Sequence, residues 1–140
     1  MKKIVISLII LVVLILFLWG CMLFPPGPHI EIEVAPQEVG TGSTSISIKL
    51  HETAGIECKI KKVLLDKYSL TGSAISYNSY AATKVFPGTI LSSKGYLVGS
   101  LTTTISTETG YMILTINATD AYNQVFDVFA TVTVSASPSS

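Results

Sequence analysis

The residues that could do chemistry are few and widely spaced. His29 and His51 are the only histidines, and Cys21 and Cys58 the only cysteines. His29 stands near Glu31, and His51 beside Glu52. A zinc centre needs about three or four ligands converging on one point. Two histidines and one body cysteine this far apart offer no such spacing. Asp120, Asn123 and Asp127 could supply oxygens to Ca²⁺, which takes about six to eight of them. Too few acids surround that turn, and its ordinary role is to close a loop. Glu31 and Glu33 share one face of a strand, whereas glycoside hydrolysis needs two carboxyls facing each other across a cleft. No serine occupies a G-x-S-x-G elbow, and no phosphate-binding or dinucleotide glycine pattern occurs. The expectation is a protein that is not an enzyme, with no catalytic residue, no metal and no cofactor.

Other residues suggest modification or contact. Asn117-Ala118-Thr119 is a glycosylation sequon whose Asn117 falls on an outward phase, available in a host that glycosylates its surface proteins. Tyr111, Ile113, Val125 and Phe129 share the outward phase of the last two strands. Exposed apolar clusters on a sheet mark contact surfaces, so these four are a candidate interaction face. The plainer expectation is that the stretch Thr71–Thr83, with Tyr77 and Tyr80, covers them.

The chain has 140 residues, enough for one domain and an appendage. Nearly half are apolar and 13% are charged. Formal net charge is zero, and every basic residue is lysine. A nucleic-acid binder needs a basic stripe, usually with arginine, so no nucleic-acid partner is expected. Two cysteines are too few for a disulfide scaffold, and Cys58 is expected to be a buried free thiol.

Met1-Lys2-Lys3 is a short positive lead. Ile4 to Phe24 follows with no charge, about 21 residues, the length that spans a bilayer. Pro25-Pro26-Gly27-Pro28 ends any helix, because proline lacks the amide donor. Lys2 and Lys3 belong on the cytoplasmic side, which places the body outside. Three readings stay open: a retained signal-anchor helix over 1–24, a lipoprotein signal to residue 20, and an ordinary cleaved signal. The second rests on Leu18-Trp19-Gly20-Cys21, which resembles a bacterial lipobox and implies lipidation of Cys21. Trp19 stands where that family takes a small or β-branched residue. In the first two readings the partner is the membrane, reached through a single-pass helix or a lipid, and all three place the body beyond the cytoplasmic membrane.

Residues 25–29 read as a stiff stalk, 30–135 as the domain and 136–140 as a frayed tail. Within the domain, hydrophobicity alternates with the period of half-buried strands. Ile30, Ile32 and Val34 face in, as do Ile46, Ile48 and Leu50. Cys58 to Leu70 breaks phase at Lys61-Lys62. A strand with a β-bulge fits this break, and a short helix is the rival. Thr71–Thr83 reads as loop plus an edge strand. Leu97, Leu101, Thr103 and Ile105 share one face. Met112, Leu114, Ile116 and Ala118 face in, and after a hairpin loop at Asp120–Asn123 so do Phe126, Val128, Ala130, Val132 and Val134. About seven or eight short strands suit an all-β, Ig-like antiparallel sandwich, preceded by one apolar N-terminal helix.

The segment Leu114-Thr115-Ile116-Asn117-Ala118-Thr119-Asp120-Ala121-Tyr122-Asn123, with the closing strand ending Thr131-Val132-Thr133-Val134, resembles the final hairpin of prokaryotic Ig-like and cadherin-like surface modules. The resemblance covers about 25 residues. Tyr122 stands where that family often has glycine, and Tyr111 is one residue off the phase of its inward tyrosine. The resemblance implies a structural, adhesive or protein-binding role in the cell envelope, with another envelope protein or a second copy as partner. The alternative is a subunit of an extracellular filament or secretion apparatus, assembled through its helix or by strand exchange. A periplasmic solute binder or enzyme ranks third.

Overall fold

A computed structural model describes residues 27–135. The apolar stretch Ile4–Phe24, Cys21 and the tail 136–140 lie outside the described residues. Among the described residues no helix is long and apolar enough to cross a membrane.

The domain is an all-β sandwich of nine strands: β1 (Ile30–Ala35), β2 (Glu38–Val39), β3 (Gly42–Glu52), β4 (Cys58–Ser69), β5 (Ala74–Ala81), β6 (Ile90–Leu91), β7 (Tyr96–Ile105), β8 (Thr109–Asp120) and β9 (Val125–Val134). One helical turn, α1 (Ala82–Val85), follows β5. The smaller sheet has the order β1-β3-β7. The larger runs β2-β9-β8-β4-β5, with β6 also paired to β4.

Two features differ from the sequence expectation. Pairing is antiparallel throughout except between β2 and β9, which are parallel. The chain leaves the smaller sheet after Ala35, and Pro36 cannot continue its ladder because it has no amide. Two residues later β2 joins the larger sheet while still running the same way. The second feature is α1. It packs against β4, β5 and β7, and buried Ala82 and Val85 close the gap between the sheets. Gly99 of β7 makes this possible, since a β-carbon there would strike the Val85 carbonyl and the Phe86 ring.

The phase break in β4 is a bulge. Its register against β8 shifts between Ile60 and Lys62, so Ile60, Val63 and Leu65 all reach the core. Sheet pairing on both sides of β4 excludes the helical rival. Ile46, Ile48, Leu50, Met112, Leu114, Ile116 and Val132 complete a fully buried centre. Each such side chain contributes about 1.5–3 kcal/mol by leaving water. The last hairpin turns at Asp120–Gln124, where the Asp120 carboxylate accepts from the amides of Tyr122 and Gln124. Asn123 takes a left-handed φ of 61°, which its short polar side chain tolerates.

Besides Asp120, two charged side chains point inward. Glu52 continues the inward phase of Ile46, Ile48 and Leu50 and has no exposed surface. Its carboxylate accepts from the amides of Ala54, Gly55, Ile56 and Lys94 at 2.8–3.0 Å. Burial alone would push its carboxyl up, but the four amides outweigh that and hold it below its ordinary value. Lys67 follows Val63 and Leu65 inward at the other end of the sandwich. Its ammonium donates to the Thr104 carbonyl at 2.6 Å, and burial pushes its pKa down.

Candidate interaction face

The outer face of the larger sheet is built from the outward phases of four long strands. Antiparallel register aligns them in rows. Tyr111 of β8 lies between Tyr68 of β4 and Thr133 of β9. Ile113 lies between Asp66 and Thr131, and Thr115 between Leu64 and Phe129. Tyr77 of β5 extends the Asp66 row outward. Tyr68 stacks on Tyr111 with centroids 5.1 Å apart, and Tyr77 meets Tyr68 edge-on at 6.4 Å. Such geometries suit the quadrupoles of the rings.

All four residues singled out from the sequence lie on this face. Tyr111 and Ile113 are half-buried by their neighbours. Val125 and Phe129 are 68% and 61% exposed. The expected cover by Thr71–Thr83 does not form. Most of that stretch is β5, which sits beside β4 in the sheet and not across it. Tyr80 turns inward against the core, while Tyr77 points out and is 68% exposed. Tyr68 and Leu64 also belong to the face. Sequence reasoning missed them because the bulge in β4 obscures which of its residues point outward.

The face is not purely apolar. Asn117 lies on it, and its amide nitrogen donates to the Asp127 carboxylate at 2.7 Å. This cross-strand bond occupies the nitrogen of the sequon. The remaining chemistry-bearing residues disperse. Asp120 is held by its own turn, Asp127 by Asn117, and Asn123 by its backbone role. Among the described residues no three His, Cys, Asp or Glu side chains gather as metal ligands. Cys58 is buried and unpaired with another cysteine. Burial, with the charges of Glu52, Asp120 and Glu57 adding to it, pushes its thiol up to about 11.

The outer face of the smaller sheet is different in kind. Glu31, His51 and Tyr96 form one row, and Glu33, Lys49 and Val98 the next. Lys49 and Glu33 pair at 3.0 Å, and His51 stacks on Tyr96 at 4.1 Å. The wet, charged side chains satisfy one another across the strands.

No family model and no curated protein matches the chain. Solved structures do match. A Northeast Structural Genomics Consortium target, SoR45, superposes with a TM-score of 0.51 at 12% identity, over 77% of this chain and 85% of that one. The CARDB domain of the PF1109 protein from Pyrococcus furiosus, solved with di-metal ions, is similar at 20% identity and a TM-score of 0.41, over 78% and 88%. Murine CRIg is similar at 10% identity and a TM-score of 0.44, over 77% and 98%. Likeness at these identities concerns the fold. Together with the two-sheet topology, the SoR45 match supports a β-sandwich module.

Proposed function

We propose that this chain is a membrane-tethered, extracytoplasmic module that binds a protein partner through the outer face of its larger sheet and performs no catalysis. The observation that carries this reading is the group of aromatic and aliphatic side chains Tyr77, Tyr68, Tyr111, Ile113, Leu64 and Phe129, set around Asp66 and Thr115, which no other described segment covers. Apolar surface of this kind, rimmed by polar residues such as Asn117 and Asp127, is what protein interfaces use. The tether follows from Lys2-Lys3 and the uncharged run Ile4–Phe24.

The base of the domain suits such a tether. Thr53 donates both its amide and its hydroxyl to the His29 carbonyl. Glu52 braces the same loop. The point where the chain enters the sandwich is therefore held to two loops, and pull on the tether is passed to the core.

Two measurements test the reading. In native membranes treated with a short cross-linker, Phe129→Lys should abolish the partner adduct, while Val98→Lys, on the other sheet, should keep it. Equal adducts from both would reject the face. Intact mass of the membrane-extracted protein beside Cys21→Ala tests the tether. A full-length mass in both indicates a retained helix. A mass lacking the first 20 residues and carrying a diacyl group, lost in the variant, indicates a lipid on Cys21. A truncated, lipid-free chain in both would reject membrane tethering.

A further inference from the structure

Sheet edges expose unpaired amides and carbonyls, and proteins guard them with charge, proline, brevity or cover. Five of the six edge-lying strands here carry such a guard, β6 by its brevity. β1 bears Glu31 and Glu33, and β2 is two residues long. β9, beyond β2, bears Asp127 and has β1 packed beside it. β7 receives the inward Lys67 ammonium on its Thr104 carbonyl. β5 has none of these. Its eight residues, Ala-Ile-Ser-Tyr-Asn-Ser-Tyr-Ala, include no charge and no proline. It pairs with β4 on one side only and is largely exposed.

We propose that β5 pairs with β5 of a second copy, antiparallel about a two-fold axis through Tyr77, joining the two larger sheets into one. The inference goes beyond the binding face, because it concerns backbone at an edge. In a two-fold interface residue i meets j and j meets i. Side chains alternate along a strand, so opposed residues must share a phase. The axis must then pass through a residue, and the middle of β5 leaves Tyr77 or Asn78. An axis through Tyr77 sets Tyr77 against Tyr77, Ile75 against Ser79, Ser76 against Asn78 and Ala74 against Tyr80. Every pair is uncharged, so nothing repels. An axis through Asn78 would oppose two amides and leave Tyr77 facing Ser79, and cross-strand aromatic pairs contribute more. The Tyr77 ring already meets Tyr68, which stacks on Tyr111. The pairing carries that aromatic row through both copies. Asp66, the cross-strand neighbour of Tyr77, would face its counterpart three strand spacings away, about 14 Å. That exceeds the roughly 8–10 Å over which salt screens exposed charges.

The test uses the full chain in detergent, with Cys21→Ser to leave only the buried Cys58. Opposed residues in an antiparallel pair have α-carbons about 4.5–5.5 Å apart, within the roughly 4.4–6.8 Å a disulfide spans. Mild oxidation should give a covalent dimer from Tyr77→Cys and none from Tyr96→Cys, an equally exposed site on the other sheet. Ser79→Lys, at an exposed position, should weaken the dimer about tenfold or more in sedimentation, because a lysine opposite Ile75 gives the edge the charged guard that it lacks. A monomer at high concentration, equal cross-linking from both cysteine variants, or a dimer indifferent to Ser79→Lys would each overturn the proposal. Phe129→Lys should leave this dimer intact, so the edge and the binding face stand or fall separately.

Discussion

The two ends of the sandwich each bury a charge, and they do so in opposite ways. At the end where the chain enters, Glu52 receives four amides from two loops. At the far end Lys67 has one partner, the Thr104 carbonyl. A charge removed from water is stable only when hydrogen bonds replace its hydration. Glu52 meets that condition and becomes a structural pin. Lys67 meets it in part, keeping its aliphatic stem in the core and its ammonium near the rim. The contrast shows that burial alone does not say whether a charge holds a fold together.

The largest effect should come from Glu52→Gln. The amide keeps one acceptor oxygen but turns an NH₂ toward backbone donors. The loss should be about 3 kcal/mol by urea unfolding. Acid titration sharpens the assignment. A carboxyl held below its ordinary 4.5 binds protons less readily folded than unfolded. Its contribution is complete above 4.5 and disappears as pH falls through the lower folded value. The native protein should therefore lose stability in that window, and Glu52→Gln should lose less.

Asp120→Ala ranks next. It frees the amides of Tyr122 and Gln124 at the same end, and unfolding experiments should show a loss of about 1–2 kcal/mol. Lys67→Met should change stability by no more than about 1 kcal/mol in either direction, since a thioether keeps the packing and removes the desolvated ammonium. The pH dependence runs opposite to that of Glu52. A lysine with a lowered folded pKa costs stability while charged, and the cost fades as alkaline pH passes that lowered value. A loss for Lys67→Met as large as that for Glu52→Gln would break the comparison between the ends. The smallest effect concerns Cys58. With its thiol near 11, it should resist maleimide at pH 8 until the protein is denatured. In Glu52→Gln it should react faster, because one of the charges that raises it is gone.

Much of this is legible in the chain alone. Period-two alternation located the long strands, and the phase break at Lys61-Lys62 located the bulge. Two of the buried charges also leave a signal in the sequence. Glu52 and Lys67 continue the inward phases of β3 and β4, and Glu52 precedes a glycine-containing loop. The last hairpin was readable because its turn residues and both flanking strands point to the same structure. The short elements β2, β6 and α1 were not, since two to four residues carry no period.

Local sequence thus determined which side chains of the regular long strands face the core and which face out, because alternation is a property of the strand itself; the bulged β4 and the two-residue strands escape that rule. It also set the apolar N-terminal run, whose length and flanking lysines are plain in the chain. Only the tertiary structure decided which strands lie side by side. That order placed β5 beside β4, uncovered the face that Thr71–Thr83 was expected to hide, and left an uncharged strand at the edge. Neighbour order depends on contacts between residues far apart in sequence, and no local pattern encodes it.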